Sequence, residues 1–431
     1  MATARDLLRV LRHRPFRLLW LATSFSVIGD RIVTVALALF ITDLTGDASD
    51  LGLVLAAHYV PLVGLLLIGG VWADRLPKQR LIVVTDSVRF VLHGALAVLI
   101  FTGAVEVWQV IVIEALFGIA EAFFRPAATA LLPQTVPEEE IQEANALVAM
   151  SNNVSEFAGP ALATVLVLGV GAGTAFAIDA ATFVVSALFT IRIKPRRREL
   201  TPAEEQAARE QAGSVVTELR AGFAEVRSRV WVWATLASFC VAVCFGVGPL
   251  LVLGPLVAQE QYGGLSAFGI TEAALGVGTI AGSLLAIRWK PLHPMRLGML
   301  FACLWPPGIL MYAAGVQLEI TVPVIVAGGL GLALFDTWWL TALAERIPPD
   351  KLSRVTSYDW MVSLGLLPLS FVLAGPLADR YGAVEVLLIG AGVATLAAIA
   401  GALPRETRAL RRIDPETARA EGRPAIPWEA S

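Results

Sequence analysis

The chain has 431 residues, 56% of them hydrophobic and only 16% charged, with a mean hydropathy of +0.71 and a formal net charge of −3. Soluble domains carry about 25% charged residues, so the deficit excludes an ordinary water-soluble globule and points to lipid. The net charge says little about partners, because the placement of the charges along the chain carries the information.

Apolar stretches of about 20 residues, each long enough to cross roughly 30 Å of hydrocarbon, recur from end to end. They predict helices near 17–42, 51–73, 81–102, 107–131, 144–168 and 174–193, then near 231–257, 265–287, 297–316, 321–343, 357–378 and 384–403. The expected fold is therefore all-α and membrane-integral, with about twelve spans. Ahead of the first, Arg5 to Arg12 mix leucine and arginine at near-helical spacing, as a short surface helix broken by Pro15 would. The first apolar segment is too long for a cleavable signal peptide and reads as a span. Cys240, Cys244 and Cys303 fall inside spans and read as small apolar fillers, not as a disulfide or metal site.

Between the second and third spans runs Gly69-Gly70-Val71-Trp72-Ala73-Asp74-Arg75-Leu76-Pro77-Lys78-Gln79-Arg80. A turn this short makes its two helices antiparallel neighbours, and its charges place it at a membrane surface. Small residues before Asp74 let the helix end approach a neighbour closely. Asp74 is then placed to meet another helix's N-terminus, where backbone N–H groups favour an anion. The plainer alternative is a positively charged hairpin loop. Gly70-x-x-Ala73-Asp74-Arg75-x-x-Lys78-x-Arg80 resembles the signature loop of the major facilitator superfamily, which usually has Leu at the place of Trp72 and Gly at that of Pro77. In that family the loop latches the two halves of a transporter together on the cytoplasmic side. The resemblance thus implies a latch at Gly70, Asp74, Arg75, Lys78 and Arg80.

By the predicted spans, only Arg380 among the 33 Lys and Arg falls in an outer loop, while Arg31, Arg89 and Arg125 lie within spans. Nearly all the rest alternate onto one side, which the positive-inside rule makes cytoplasmic, with both termini. The one long polar interval, 193–229, opens with Lys194-Pro195-Arg196-Arg197-Arg198 and closes with Val215, Leu219, Phe223 and Val226 on one helical face. It reads as a linker lying along the membrane. Nucleic-acid binding by its basic run is disfavoured, because the run sits at a span end without a folded domain. Three pairs of short motifs recur at nearly the same offset, among them Ala158-Gly159-Pro160-Ala161 with Ala374-Gly375-Pro376-Leu377. The expected organisation is a six-helix half over 1–192, the linker over 193–229, a second six-helix half over 230–404 and a polar tail over 405–431, a parallel repeat of transporter type.

A charge at mid-membrane costs roughly 2.5–3.5 kcal/mol or more, so intramembrane ionisable residues are functional candidates. Asp30 and Glu156 lie near the middle of the first and fifth spans and are the leading proton carriers. Glu121 and Asp336 are further candidates, Asp336 also as a contact for a cationic substrate. Glu114, Glu121 and Arg125 share one face of the fourth span. The alternative is that these acids form structural ion pairs with Arg31, Arg89 and Arg125. His58 and His93 are able to titrate, but helix packing is the commoner role for such residues. Phe123, Phe124, Phe245, Trp338, Trp339 and Trp360 are candidates to line an apolar cavity, against the commoner role of packing or facing lipid. No Walker motif is present, which argues against ATP-driven transport.

Gly29-Asp30, Ala120-Glu121-Ala122 leading to Arg125-Pro126, Asn145-Ala146-Leu147, Gly159-Pro160 and Ala374 to Asp379 together resemble the superfamily branch that holds macrolide-efflux proteins and the enterobactin exporter. Gly159-Pro160 is similar to a reduced form of the fifth-helix motif of drug–proton antiporters, with Ser155 and Ala163 in place of further glycines. The resemblance implies a bacterial plasma-membrane secondary transporter, monomeric, without cofactor or metal. It would export a bulky amphipathic compound (a drug, macrolide, siderophore or secondary metabolite) in exchange for protons. An importer or lipid transporter of the same fold, or a membrane sensor or scaffold, are the alternatives. A membrane enzyme is disfavoured, since no Ser/His/Asp or metal-ligand cluster is legible.

Overall fold

A computed structural model describes residues 9–137, 140–195, 223–347 and 355–412, apart from 357, 360, 362 and 363. The side chains of Asp74, Arg75 and Glu156 lie outside the described residues, as does the linker through residue 222. In lipid every backbone N–H and C=O must be satisfied within its own segment, so apolar stretches of this length become helices. They form α1 (Arg14–Thr45), α2 (Ala48–Arg75), α3 (Lys78–Thr102), α4 (Val107–Leu131), α5 (Ile141–Val170) and α6 (Ala172–Thr190). The second set is α7 (Val230–Tyr262), α8 (Ser266–Arg288), α9 (Pro294–Ala313), α10 (Leu318–Arg346), α11 (Leu367–Tyr381) and α12 (Ala383–Ala402). Ten of these are long and apolar enough, among the described residues, to cross a membrane. The other two, α5 and α11, take the remaining places in the order expected.

Helix ends obey local chemistry. Gly46 and Gly103 close α1 and α3 in the left-handed region, at φ of +67°, where a side chain would be strained. The chain breaks at His13, which is extended, just ahead of Pro15 and α1. Pro15 occupies the first turn, where its missing N–H is one that no helix satisfies. Before it, residues 9–12 of the proposed surface helix are described, with Val10–Arg12 forming one tight turn.

The second half departs from regular helix in α7, where Val243–Val247 widen into a π turn just before Pro249. In such a turn the Cys244 carbonyl would accept the N–H of residue 249, and proline has none. The Ser370 hydroxyl on α11 donates to that carbonyl instead, at 2.6 Å.

The two sets of six helices meet at the end remote from the termini, here called the distal end. A Cβ on Gly52 of α2 would strike the Phe371 carbonyl of α11, one on Gly375 of α11 would strike Ser49, and one on Gly269 of α8 would strike Thr164 of α5. One apolar core there is shared, with Leu51 and Val54 from the first half and Val252, Phe371 and Leu387 from the second. Toward the terminal end the buried clusters separate. Phe16, Leu19, Ile82 and Leu131 pack within the first half, and Trp231, Met295, Trp339 and Leu343 within the second.

Candidate functional site

The charged residues of the first half converge inside the six-helix set. On α3, Asp86, Arg89 and His93 are spaced by three and four residues, so they share one face, as do Glu114, Glu121 and Arg125 on α4. Gly118 lies between the two acids of α4, and a Cβ there would strike the His58 carbonyl, so α2 comes close enough to insert His58 between them. Gly29 likewise leaves room for Asp179 and Thr182 of α6 beside α1.

Six side chains then form a continuous row across α6, α3, α4 and α2. Asp179 Oδ2 lies 2.5 Å from His93 Nδ1, and His93 Nε2 lies 3.4 Å from Glu114 Oε1. Glu114 Oε2 is 3.0 Å from His58 Nδ1, and His58 Nε2 is 3.0 Å from Glu121 Oε2. Arg125 completes the row by donating to Glu121 Oε1 from Nε at 2.8 Å and from Nη2 at 2.6 Å. Eleven residues of α4 separate Glu114 from Arg125, about 16 Å along the helix axis at 1.5 Å per residue. The row runs from a sealed interior to a more open end. Side chains of Asp179, His93 and Glu114 are no more than 2% exposed, against 43% for Arg125.

Beside the row sits a second group. Arg89, wholly buried, pairs with Asp86, whose other oxygen accepts from the Ser186 hydroxyl at 2.6 Å. The guanidinium carbon lies 3.9 Å over the ring of Phe124 and 4.3 Å over that of Phe183, a cation held between aromatic faces. Its Nη1 reaches toward Asp30 Oδ2 at 3.6 Å, and Asp30 Oδ1 is buried without a hydrogen-bond partner. Asp30 is nevertheless 24% exposed, unlike Asp86. Of the two acids that flank Arg89, Asp86 is thus saturated and Asp30 is loosely held and open.

The other expected residues lie elsewhere. The Arg31 stem fills the space where Gly159 of α5 would carry a Cβ, and Arg31 has an interaction partner of its own. Pro160 follows inside α5. Asp336 is exposed on α10 and engaged with a partner. The aromatics do not converge. Trp338 is buried against Trp289 and Phe301, at 5.3 and 6.1 Å. Trp339 packs on Trp231 at 5.6 Å and donates its indole N–H to Asp359. Phe123 stands edge-on to Trp72, Phe245 is half exposed, and Trp360 lies outside the described residues.

In the expected latch, Gly69 packs on the Ala122 carbonyl of α4, whereas Gly70 faces open space. Lys78 has a partner and Arg80 is exposed. Sequence reasoning missed Gln79. Its side-chain amide donates to the carbonyls of Thr190, Ile191 and Ile193 at 2.8–3.0 Å, pinning the α2–α3 turn to the end of α6, where carbonyls lack helical donors. His58 and His93 were legible as titratable groups, but their bridging role was not. The available signal was the three- and four-residue spacing on α3 facing the seven-residue spacing on α4.

Known proteins place this architecture. Residues 19–362 match the family model described as Major Facilitator Superfamily. Macrolide efflux protein A of Streptococcus pyogenes is 24% identical over 405 residues, covering 92% of this chain and 97% of that one. Multidrug efflux pump Tap of Mycolicibacterium fortuitum is 23% identical over 416 residues, covering 94% and 98%. Among solved structures, a bacterial homolog of the human lysosomal transporter Spinster superposes with a TM-score of 0.67 at 17% identity, covering 94% of this chain and 99% of that one. A match over most of the chain, carried by helices α1 to α12 among the described residues, makes this multi-pass membrane protein a member of the Major Facilitator Superfamily, a transporter and not an enzyme.

Proposed function

We propose that this protein exports a bulky amphipathic small molecule in exchange for protons, working as a monomer by alternating access. The substrate class is a drug, macrolide, siderophore or secondary metabolite. The observation that carries the reading is Asp30, a mid-span carboxylate that is partly exposed, incompletely hydrogen-bonded and reached at 3.6 Å by an arginine already committed to Asp86. An acid in that position takes a proton when it faces one side of the membrane and releases it when it faces the other. Efflux relatives that match nearly the whole chain support the direction and the substrate class. The basic flanks of the spans support a cytoplasmic terminal end, so that the joined distal ends close the protein toward the outside.

Transport of ethidium, a bulky amphipathic probe, into inverted membrane vesicles tests this. With a pH gradient, Asp30→Asn or Glu156→Gln is expected to abolish gradient-driven uptake while ethidium exchange survives, because exchange needs alternating access but no net proton movement. The amides keep shape and hydrogen-bonding capacity but hold no exchangeable charge. Gradient-driven uptake at the unsubstituted level in both single variants and the double variant removes both acids as carriers and leaves Glu121 and Asp336.

A further inference from the structure

The two buried imidazoles of the first half have a charge state that the geometry restricts. Each ring nitrogen of His58 and of His93 faces a carboxylate oxygen, at 3.0 and 3.0 Å for His58 and at 2.5 and 3.4 Å for His93. A neutral imidazole has one N–H and one bare lone pair. If neutral, either ring would point that lone pair at a carboxylate, unless the acid itself carried the proton. Doubly protonated rings donate at the three closer contacts, and at the fourth they set a positive N–H facing Glu114 Oε1 at 3.4 Å, where neither atom has a hydrogen-bond partner of its own.

Charge balance agrees. The row holds three acids, Asp179, Glu114 and Glu121, and one permanent cation, Arg125. With both rings charged it is neutral, and with both uncharged and the three acids ionised it carries two uncompensated negative charges away from water, a costly arrangement. A third observation is independent of hydrogen bonding. Phe117 stacks on both imidazoles, on His93 at 3.9 Å with 6° between planes and on His58 at 5.6 Å with 30°. The face of an aromatic ring is electronegative and attracts a cation on either side.

We propose that His58 and His93 are fixed imidazolium cations, the positioning residues that hold Asp179, Glu114 and Glu121 as carboxylates and so leave Asp30 as the unbalanced acid of this described cluster. This deepens the antiport reading and rests on it for the role of Asp30. Among the described residues, the charged and titratable groups near the rings come from every helix packed on them. Glu114 and Glu121 come from α4 and Asp179 from α6. Arg89 lies one turn from His93 on α3, with Phe183 in contact with both, and Asp30 lies beyond Arg89 on α1. Tyr59 flanks His58 on α2 and is covered by Phe371 of α11. Asp86 and Asp30 share the one charge of Arg89, and Asp86 takes the closer share.

The chain has four histidines, which makes the test direct. In protein carrying His13→Gln and His293→Gln, labelled with 15N-histidine and placed in lipid nanodiscs, only these two rings report. Both are expected to show the doubly protonated pattern at about pH 7, above the ordinary imidazole midpoint of about 6.5. Removing the shared central carboxylate by Glu114→Gln is expected to convert at least one ring to the singly protonated form at the same pH. A neutral ring pattern from either histidine before that change overturns the proposal, and so does a pair of rings indifferent to Glu114→Gln. The result separates from the transport reading. Failure of the unsubstituted protein to move ethidium down a pH gradient overturns antiport, while the ring pattern still decides the charge state.

Discussion

The two halves share a helix plan and differ in what they bury. The first half buries a charged cluster drawn from α1, α2, α3, α4 and α6, in which acids, imidazoles and guanidiniums meet at hydrogen-bonding or ion-pair distance. The second half, nearer its terminal end, packs aromatic rings against one another. Trp289, Phe301 and Trp338 pack edge to face, and Trp231 packs on Trp339. The comparison teaches that the repeat conserves backbone geometry without conserving interior chemistry. Apolar packing tolerates a change of conformation with little electrostatic consequence. A buried charge cluster resists any motion that separates its members, since each stranded charge costs several kcal/mol. The first half is therefore expected to move as a stiff unit, with Asp30 at its open edge.

The sharpest way to break this comparison is to strand the charges. Arg89→Met keeps an unbranched stem but removes the guanidinium, leaving Asp86 and Asp30 without the cation they share. Loss of one partner of a buried pair costs about 3–5 kcal/mol, so a large fall in thermal stability in detergent is expected. Adding Asp86→Asn to that variant is expected to recover part of the loss, because the buried charge that remains uncompensated is then removed. Equal stability of Arg89→Met and the unsubstituted protein would mean that the cluster is solvated and not structural.

A smaller effect probes where the halves touch. Gly52→Leu places a side chain against the backbone of Phe371, and overpacking of this kind costs about 1–3 kcal/mol. Only the state with joined distal ends bears that cost. Spin labels on the α1–α2 and α7–α8 turns are expected to report a longer-distance population in the variant. An unchanged distance distribution would show that the contact does not control closure.

The smallest expected effect lies in the second half. Ser370→Ala removes the donor from the Cys244 carbonyl at the π turn, at a cost of about 1 kcal/mol, the usual value for one hydrogen bond. A loss well above that range would give the α7 irregularity a larger structural role than one hydrogen bond. Thermal unfolding of Ser370→Ala against the unsubstituted protein measures the loss.

Much of this was legible in residues alone. Apolar stretches located the helices, because lipid accepts no other backbone solution for a single segment. Expected ends were short by up to three residues in α1, where the polar rim outside the hydrocarbon stays helical. Asp30, Glu121, Arg89 and Arg125 stood out because charge in an apolar run is rare. The aromatic candidates were less legible. A tryptophan in a span reads the same whether it lines a cavity or packs, and Trp338 and Trp339 are both buried in packing. The charged turn after α2 was recognisable, but the residue found anchoring it is Gln79, whose amide carries no distinguishing signal in a sequence.

The sequence by itself determined that the chain is all-α with many membrane-crossing helices, and the identity of the ionisable groups confined among them. Each of those follows from one segment's composition against the thickness and dielectric of lipid. Tertiary structure decided which groups share a charge. Whether His58 meets Glu114 and Glu121 depends on how closely α2 and α4 approach at Gly118, and whether Asp30 or Asp86 holds Arg89 more tightly depends on differences of about an ångström between helices. Coulombic and hydrogen-bonding energies change steeply over such distances in a low-dielectric interior, and a linear sequence does not encode distances between segments far apart in the chain.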